Sequence, residues 1–286
     1  MKLGMSWGPP RIAGLVAGAI AAASLTAISP SHTEAAAPVR YADEVFSSVR
    51  AKKDLVYGRA TTASGAEKLR LDLYRPAGDT RRNRPALIFV HGGDSTVDKG
   101  LKRNRRVPIV FARRGFVAAT INYRSGTSGG TKEAQYDTRA AVRWFKANAA
   151  RYGVNPKWIV VMGSSAGAIN VLNVAFNPED PGNSGHPGYS STVAAAVAIS
   201  GTDTEPQNIG SNEAPIAMVH AVDDATIPIA AARETCSHTQ AMGNVCEFFQ
   251  YPQGGHPPGF LNQNREQIAD QVSGFLCRNV LGSACR

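Results

Sequence analysis

Ser165 stands at the centre of Gly163-Ser164-Ser165-Ala166-Gly167, between the apolar run Trp158–Met162 and a helical pattern over Ala166–Phe176. A G-x-S-x-G pentad alone is an ordinary Ser/Gly turn. Between a strand and a helix it becomes a sharp turn that lifts its central serine above the end of a sheet. The two glycines leave room for the bend and for close helix–strand packing. The helix N-terminus beneath the serine favours negative charge that develops there. A serine hydroxyl is a poor nucleophile without a base, so a histidine must reach it from another loop.

The chain has six histidines. His32 lies in the N-terminal segment, His186 on a helix-to-strand connection, and His238 within a helical pattern. His220 falls inside a strand run, as a core histidine does, and His91 ends a strand ahead of two glycines. His256, in Gln253-Gly254-Gly255-His256-Pro257-Pro258 just past a strand ending at Tyr251, is the expected general base and then general acid. An acid must hold its tautomer and stabilise the imidazolium. Asp223 and Asp224 both follow the run Pro215–Val222, and the residues alone leave the choice between them open. In His91-Gly92-Gly93-Asp94 the two glycines let backbone N–H groups point into a site. Gly92, Gly93 and Ala166 N–H are the expected oxyanion donors, each of a kind worth about 2.7–4 kcal/mol of barrier.

These loops need a frame. Short apolar runs at 85–90, 116–121, 158–162, 193–199, 215–222 and 246–251 read as strands buried on both faces, and the alternating stretch 69–74 as a half-exposed edge strand. Helical patterns intervene at 102–114, 133–152, 166–176, 229–242 and 262–280. This alternation predicts an α/β domain, a mostly parallel sheet of about eight strands flanked by helices. Ligands of such sheets bind at the carboxyl ends of the strands, which is where the serine, acid, histidine and glycine loops all fall. The Gly/Pro-rich stretch 177–192 leads from helix to strand and reads as a surface loop on the opposite edge.

Together these motifs resemble the α/β-hydrolase fold, and within it the bacterial carboxylesterase/lipase group with an HGG oxyanion loop. The resemblance runs from about Leu55 to Phe275. It is carried by His91-Gly92-Gly93, Asn122-Tyr123-Arg124, Asp137 with Arg139 to Trp144, Gly163 to Gly167, His220…Asp224…Pro228, and Tyr251-Pro252 with Gly255-His256. It implies a cofactor-independent serine ester hydrolase with the order Ser165…Asp224…His256, Asp224 being the acid by its spacing from His220 and Pro228. Asp223 is then a turn or capping residue. Where the group usually continues with a third glycine and an aromatic residue, this chain has Asp94-Ser95. Only residues 201–214 stand where related enzymes insert a cap, so no large cap domain is expected. An open pocket suits short acyl groups or bulky, polymer-borne esters. The alternatives are a serine exopeptidase on the same fold and a non-catalytic binding protein that has kept it.

The rest of the sequence speaks to compartment and partners. Lys2 and Arg11, the uncharged stretch 12–28 and Ala35-Ala36-Ala37 make residues 1–37 an expected cleaved signal peptide, leaving 38–286 as one secreted or periplasmic domain without stable membrane insertion. Four cysteines allow three connectivities. The local pairs Cys236–Cys246 and Cys277–Cys285 each close a short loop, and no C-x-x-C or metal-ligand spacing is present. The composition, 43% hydrophobic and 19% charged over 286 residues, excludes collagen-like, coiled-coil and wholly disordered classes. The net charge of +9 includes basic clusters at Arg81, Arg82 and Arg84 and at Lys99, Lys102, Arg103, Arg105 and Arg106. No aromatic residues interleave them, so they read as solvated faces rather than as a nucleic-acid surface.

Overall fold

The computed structural model describes residue 8 and residues 37–62, 65–93, 105–124, 131–180 and 182–285. The expected signal segment, apart from Gly8 and Ala37, lies outside the described residues, as do Asp94, Lys99, Lys102 and Arg103. All elements below belong to the unit Pro38–Arg286.

Eight strands form one sheet: β1 (Val49–Thr62), β2 (Gly65–Pro76), β3 (Arg84–Val90), β4 (Val117–Ile121), β5 (Val154–Ser164), β6 (Ala195–Ile199), β7 (Ile216–Ala221) and β8 (Cys246–Tyr251). Their order is β1-β2-β4-β3-β5-β6-β7-β8. The first two pairings, β1 with β2 and β2 with β4, are antiparallel, and the remaining six strands run parallel. The helices that connect them are α1 (Arg106–Arg113), α2 (Thr131–Ala147), α3 (Ala166–Phe176), α4 (Ile229–Ala241) and α5 (Arg265–Leu276). Short helical turns at Ala149–Tyr152 and Gly259–Gln263 precede β5 and α5.

Period-2 alternation divides the core between the two faces of the sheet. On one face Ala86, Ile88 and Val90 of β3 and Ile159 and Val161 of β5 pack with Trp144, Phe145, Val171 and Leu172 from α2 and α3. On the other, Leu87, Phe89, Val160 and Met162 pack with Phe111, Ile268, Val272 and Phe275 from α1 and α5. All seven residues of β3 are buried, which is why the six after Arg84 form a continuous apolar run.

The structure corrects the sequence-based expectations at three places. Leu69–Tyr74 is not an edge: Leu69, Leu71 and Leu73 are all buried, and the edge on that side is β1, with β8 at the other. The β1 strand is rich in Lys and Arg and largely exposed, and its register breaks between Lys52 and Leu55 and between Val56 and Gly58. Charge and bulges protect an edge against pairing with other chains, and they also erase the apolar alternation by which a strand is read. The predicted helix over 133–152 stops at Ala147, where the Asn148 side chain donates to the Trp144 carbonyl. The stretch 177–192 is not merely a surface loop. Its Ser184 is buried and donates to Asp137, and Arg124 donates to both Asn183 and Ser184. Between β6 and β7 a single 3-10 turn, Pro206–Asn208, fills the place of a cap, and both local disulfides are formed. Among the described residues no helix is long and apolar enough to cross a membrane.

Candidate active site

The chain leaves β3 for β4 on one side and then crosses to β5 on the other. That reversal opens a crevice at the carboxyl ends of β3 and β5, the position where open α/β sheets bind ligands. Two of the expected loops meet there.

At the end of β5, Ser165 adopts φ 53° and ψ −123°, a backbone conformation that L-residues rarely hold. The flanking glycines make it possible. A Cβ on Gly163 would stand 2.1 Å from the Gly167 carbonyl oxygen, and one on Gly167 would stand 2.2 Å from that of Val90 and 2.4 Å from that of His91. The turn is held on its other side by Ser165 N–H, which donates to the Ile199 carbonyl at 2.9 Å.

The expected oxyanion loop lies directly against this turn. A Cβ on Gly92 would meet Ser165 Cβ at 3.1 Å, and one on Gly93 would meet Ala166 Cβ at 3.5 Å. His91 is buried, and its Nδ1 lies 2.7 Å from the Gly92 carbonyl oxygen, so that nitrogen carries the proton and donates. Because a trans peptide holds its C=O and N–H on opposite sides, this bond turns Gly93 N–H away from the His91 ring. Burial lowers the His91 pKa against the opposing Gly92 carbonyl and favours the neutral ring. Tyr123 then braces His91 twice. Its hydroxyl donates to the His91 carbonyl at 2.8 Å, and the two rings stack with centroids 4.5 Å apart. In the sequence, Asn122-Tyr123-Arg124 supports the family resemblance but gives Tyr123 no task. The signal for that task is its place directly after β4, the strand beside β3.

His256 Nε2 lies 2.8 Å from Ser165 Oγ, and its Nδ1 lies 3.0 and 2.8 Å from the two Asp224 oxygens. An ionised carboxylate only accepts, so Nδ1 carries the proton and Nε2 is free to accept from the serine hydroxyl. Asp224 Oδ1 also accepts from Thr226 and Ile227 N–H at 2.9 and 3.0 Å. Burial pushes the Asp224 carboxyl up, but the His256 bond and these two amides outweigh it, and its pKa falls below the ordinary value. His220, buried in β7, donates from Nε2 to the Ile227 carbonyl at 2.9 Å and so ties the acid turn to the sheet.

The neighbouring aspartate has a separate task. Asp223 Oδ1 accepts Gly255 N–H at 2.8 Å, directly before His256, and amides of the Gly254–Gly255 turn lower its pKa. One carboxylate of the pair thus holds the imidazole, and the other holds the backbone that carries it. The structure therefore brings Ser165, His256, Asp224, Gly92, Gly93 and Ala166 into one cluster. Among the described residues no group of three or more His, Cys, Asp or Glu could hold a metal ion.

Comparisons with known proteins find similarity to esterases in sequence and in fold. The BD-FAE family model matches residues 71–180, which include Gly92, Gly93 and the serine turn. Esterase LipQ of Mycobacterium tuberculosis is 32% identical over 148 residues, 51% of this chain and 33% of its own length. Rat carboxylesterase 1D is 32% identical over 149 residues, 48% of this chain and 26% of its own. The chain thus spans a third or less of the length of these relatives. Among solved structures, the native esterase Est2 of Thermogutta terrifontis superposes with a TM-score of 0.68 at 22% identity, over 79% of this chain and 91% of that one. In fold and in sequence the chain is thus similar to the carboxylesterase/lipase group of the α/β-hydrolases.

Proposed function

We propose that the protein is a serine carboxylic-ester hydrolase in which Ser165, His256 and Asp224 form the catalytic triad. The observation that carries this reading is the unbroken relay from Ser165 Oγ through His256 to Asp224, with both hydrogen bonds at 2.8 Å. Ser165 Oγ attacks the ester carbonyl as His256 Nε2 takes its proton. The oxyanion is held by N–H groups of Gly92, Gly93 and Ala166, and Asp224 stabilises the imidazolium. Collapse returns the proton to the departing alkoxide, releases the alcohol and leaves an acyl group on Ser165. Water, deprotonated by His256, then frees the carboxylic acid. Each step uses side chains and backbone of this chain alone.

The short β6–β7 connection leaves this edge of the sheet without a large cap, which supports short or polymer-borne acyl esters over long-chain lipids. The neighbour from T. terrifontis has been solved with propionate and with butyrate bound, in keeping with that choice. Two disulfides fit an oxidising compartment. With residues 1–37 as a cleaved leader, the enzyme acts outside the cytoplasm.

The test is intact-mass spectrometry after treatment with a fluorophosphonate, beside hydrolysis of p-nitrophenyl acetate and octanoate. The expected result is one adduct on Ser165, turnover with acetate preferred, and neither adduct nor turnover in Ser165→Ala. A folded wild-type protein that takes no adduct and hydrolyses neither ester would overturn the proposal.

A further inference from the structure

Five arginines are buried among the described residues, and they fall into two kinds. Arg84 pairs with Asp79, Arg114 with Glu44 and Asp270, and Arg124 with Asp137. Among the described residues Arg139 and Arg143 have no carboxylate partner. Arg139 donates to the Asn177 carbonyl from Nε and Nη2 and to Asn173 Oδ1 from Nη2. Arg143 donates from Nε to the Gly185 carbonyl at 3.0 Å. On both guanidinium groups Nη1 has no partner. A buried charge without a counter-charge is unfavourable by several kcal/mol in general, which is why such groups are paired almost everywhere else in proteins.

Arg139, Arg143 and Lys146 stand at i, i+4 and i+7 on one face of α2. Lys146 reaches Ser190 Oγ at 3.4 Å, again a neutral partner. Burial lowers the pKa of both arginines, and in Arg143 the neighbouring Arg139 adds to that effect. Asp180 and Glu179 are near enough to oppose this charge in part, but neither forms an ion pair with it. Beside this basic face lies a cleft of about 240 Å³, lined by Arg143, Pro178, Glu179, Tyr189, Ser190 and Ser191 among others. It is smaller than the roughly 300–1,000 Å³ of sites for drug-sized ligands and suits one small ring. It lies past the C-terminal end of α3. That helix begins at Ser165 and has 11 residues, so the cleft is on the order of 16 Å from the nucleophile.

We infer that this cleft is a second, non-catalytic binding site for a carboxylate-bearing sugar, a uronate. The carboxylate supplies the counter-charge that Arg143 lacks, with Lys146 behind the lining residue Ser190, which it reaches at 3.4 Å. Tyr189, 48% exposed at the rim, and the ring of Pro178 offer flat apolar surfaces to the face of a pyranose. Ser190 and Glu179 in the lining offer a donor and an acceptor to ring hydroxyls. A compact multivalent anion has no use for the aromatic rim and meets the Glu179 carboxylate.

The test is titration of the purified protein with D-glucuronate, D-glucose and inorganic phosphate by calorimetry, at concentrations up to about 100 mM, where millimolar affinity saturates. The expected result is saturable glucuronate binding, at least about tenfold weaker glucose and phosphate binding, and loss of about fivefold or more in affinity in Tyr189→Ala and in Lys146→Gln. Both side chains reach the surface, so these variants test the site without relying on a change in the core. Arg143→Met is expected to bind no glucuronate and to melt no lower than the unliganded wild type, because it removes an unpaired buried charge. Absent saturation, glucose or phosphate binding as tight as glucuronate, or undiminished binding in Tyr189→Ala and Lys146→Gln would each overturn the inference. None of these readouts depends on ester hydrolysis.

Discussion

Asp224→Asn is the most informative single change at the active site, because its cost follows from counting acceptors. Asn keeps one oxygen, and the Thr226 and Ile227 amides at 2.9 and 3.0 Å both point at the Oδ1 position. That oxygen stays where it is, so the turn is preserved. The position of Oδ2, 2.8 Å from His256 Nδ1, is then occupied by an NH2 group. The retained Oδ1 also lies 3.0 Å from Nδ1 but already accepts both amides, so the NH2 group at the shorter distance favours the tautomer with the proton on His256 Nε2. That nitrogen now presents a hydrogen to Ser165 Oγ at 2.8 Å and can no longer accept one. The general base is lost while the oxyanion loop and the fold remain. Holding the histidine of a serine–histidine–aspartate enzyme in the wrong tautomer lowers kcat by about 10⁴-fold, which is about 5.5 kcal/mol of barrier. Asp223→Asn is the control. Its remaining oxygen still accepts Gly255 N–H, so kcat should fall no more than about threefold. The assay is steady-state hydrolysis of p-nitrophenyl acetate, with circular dichroism to check the fold. If folded Asp224→Asn kept a tenth of wild-type kcat while Asp223→Asn collapsed, the assignment of the acid and of the tautomer would both be refuted.

Other outcomes follow from neighbouring contacts. Tyr123→Phe keeps the stacking on His91 but deletes the hydroxyl that donates to its carbonyl. The expected result is a loss of about 1–2 kcal/mol in urea unfolding, with kcat down about tenfold and KM nearly unchanged, because the loop serves the transition state; an unaltered kcat would remove Tyr123 from the site. Gly167→Ala drives a Cβ into two backbone carbonyls that cannot both yield, so thermal melts should show a loss of about 3 kcal/mol or more. Stability should also depend on acid pH with a definite sign. The folded-state pKa of Asp224 is depressed, so its contribution is present above the unfolded value near about 3.9 and disappears as pH falls through the folded value. Urea titrations between about pH 6 and 3 should show this acid limb in the wild type and a shallower one in Asp224→Asn.

Much of the molecule is legible in its residues because local physics dictates it. A strand buried on both faces must be a continuous apolar run, so β3, β5, β6 and β7 can be read directly, and β8 falls residue for residue where the sequence puts it. Only glycine fits at 163 and 167, so the serine turn carries its own signature. Chain order and the rule that sheets bind ligands at the carboxyl ends of their strands then gather Ser165, His256 and the glycine loop onto one edge. The rest is set by contacts distant in sequence. The β1 edge lies in charged, bulged chain because edges avoid the apolar pattern that would announce them. Asp223 and Asp224 have the same chemistry, and only the direction each side chain takes on leaving β7 gives one the imidazole and the other the Gly255 amide. Tyr123 acquires its role from β4 lying beside β3. The missing counter-charge of Arg139 and Arg143 becomes visible only when burial and partners are known together, because a sequence records charges but not their neighbours.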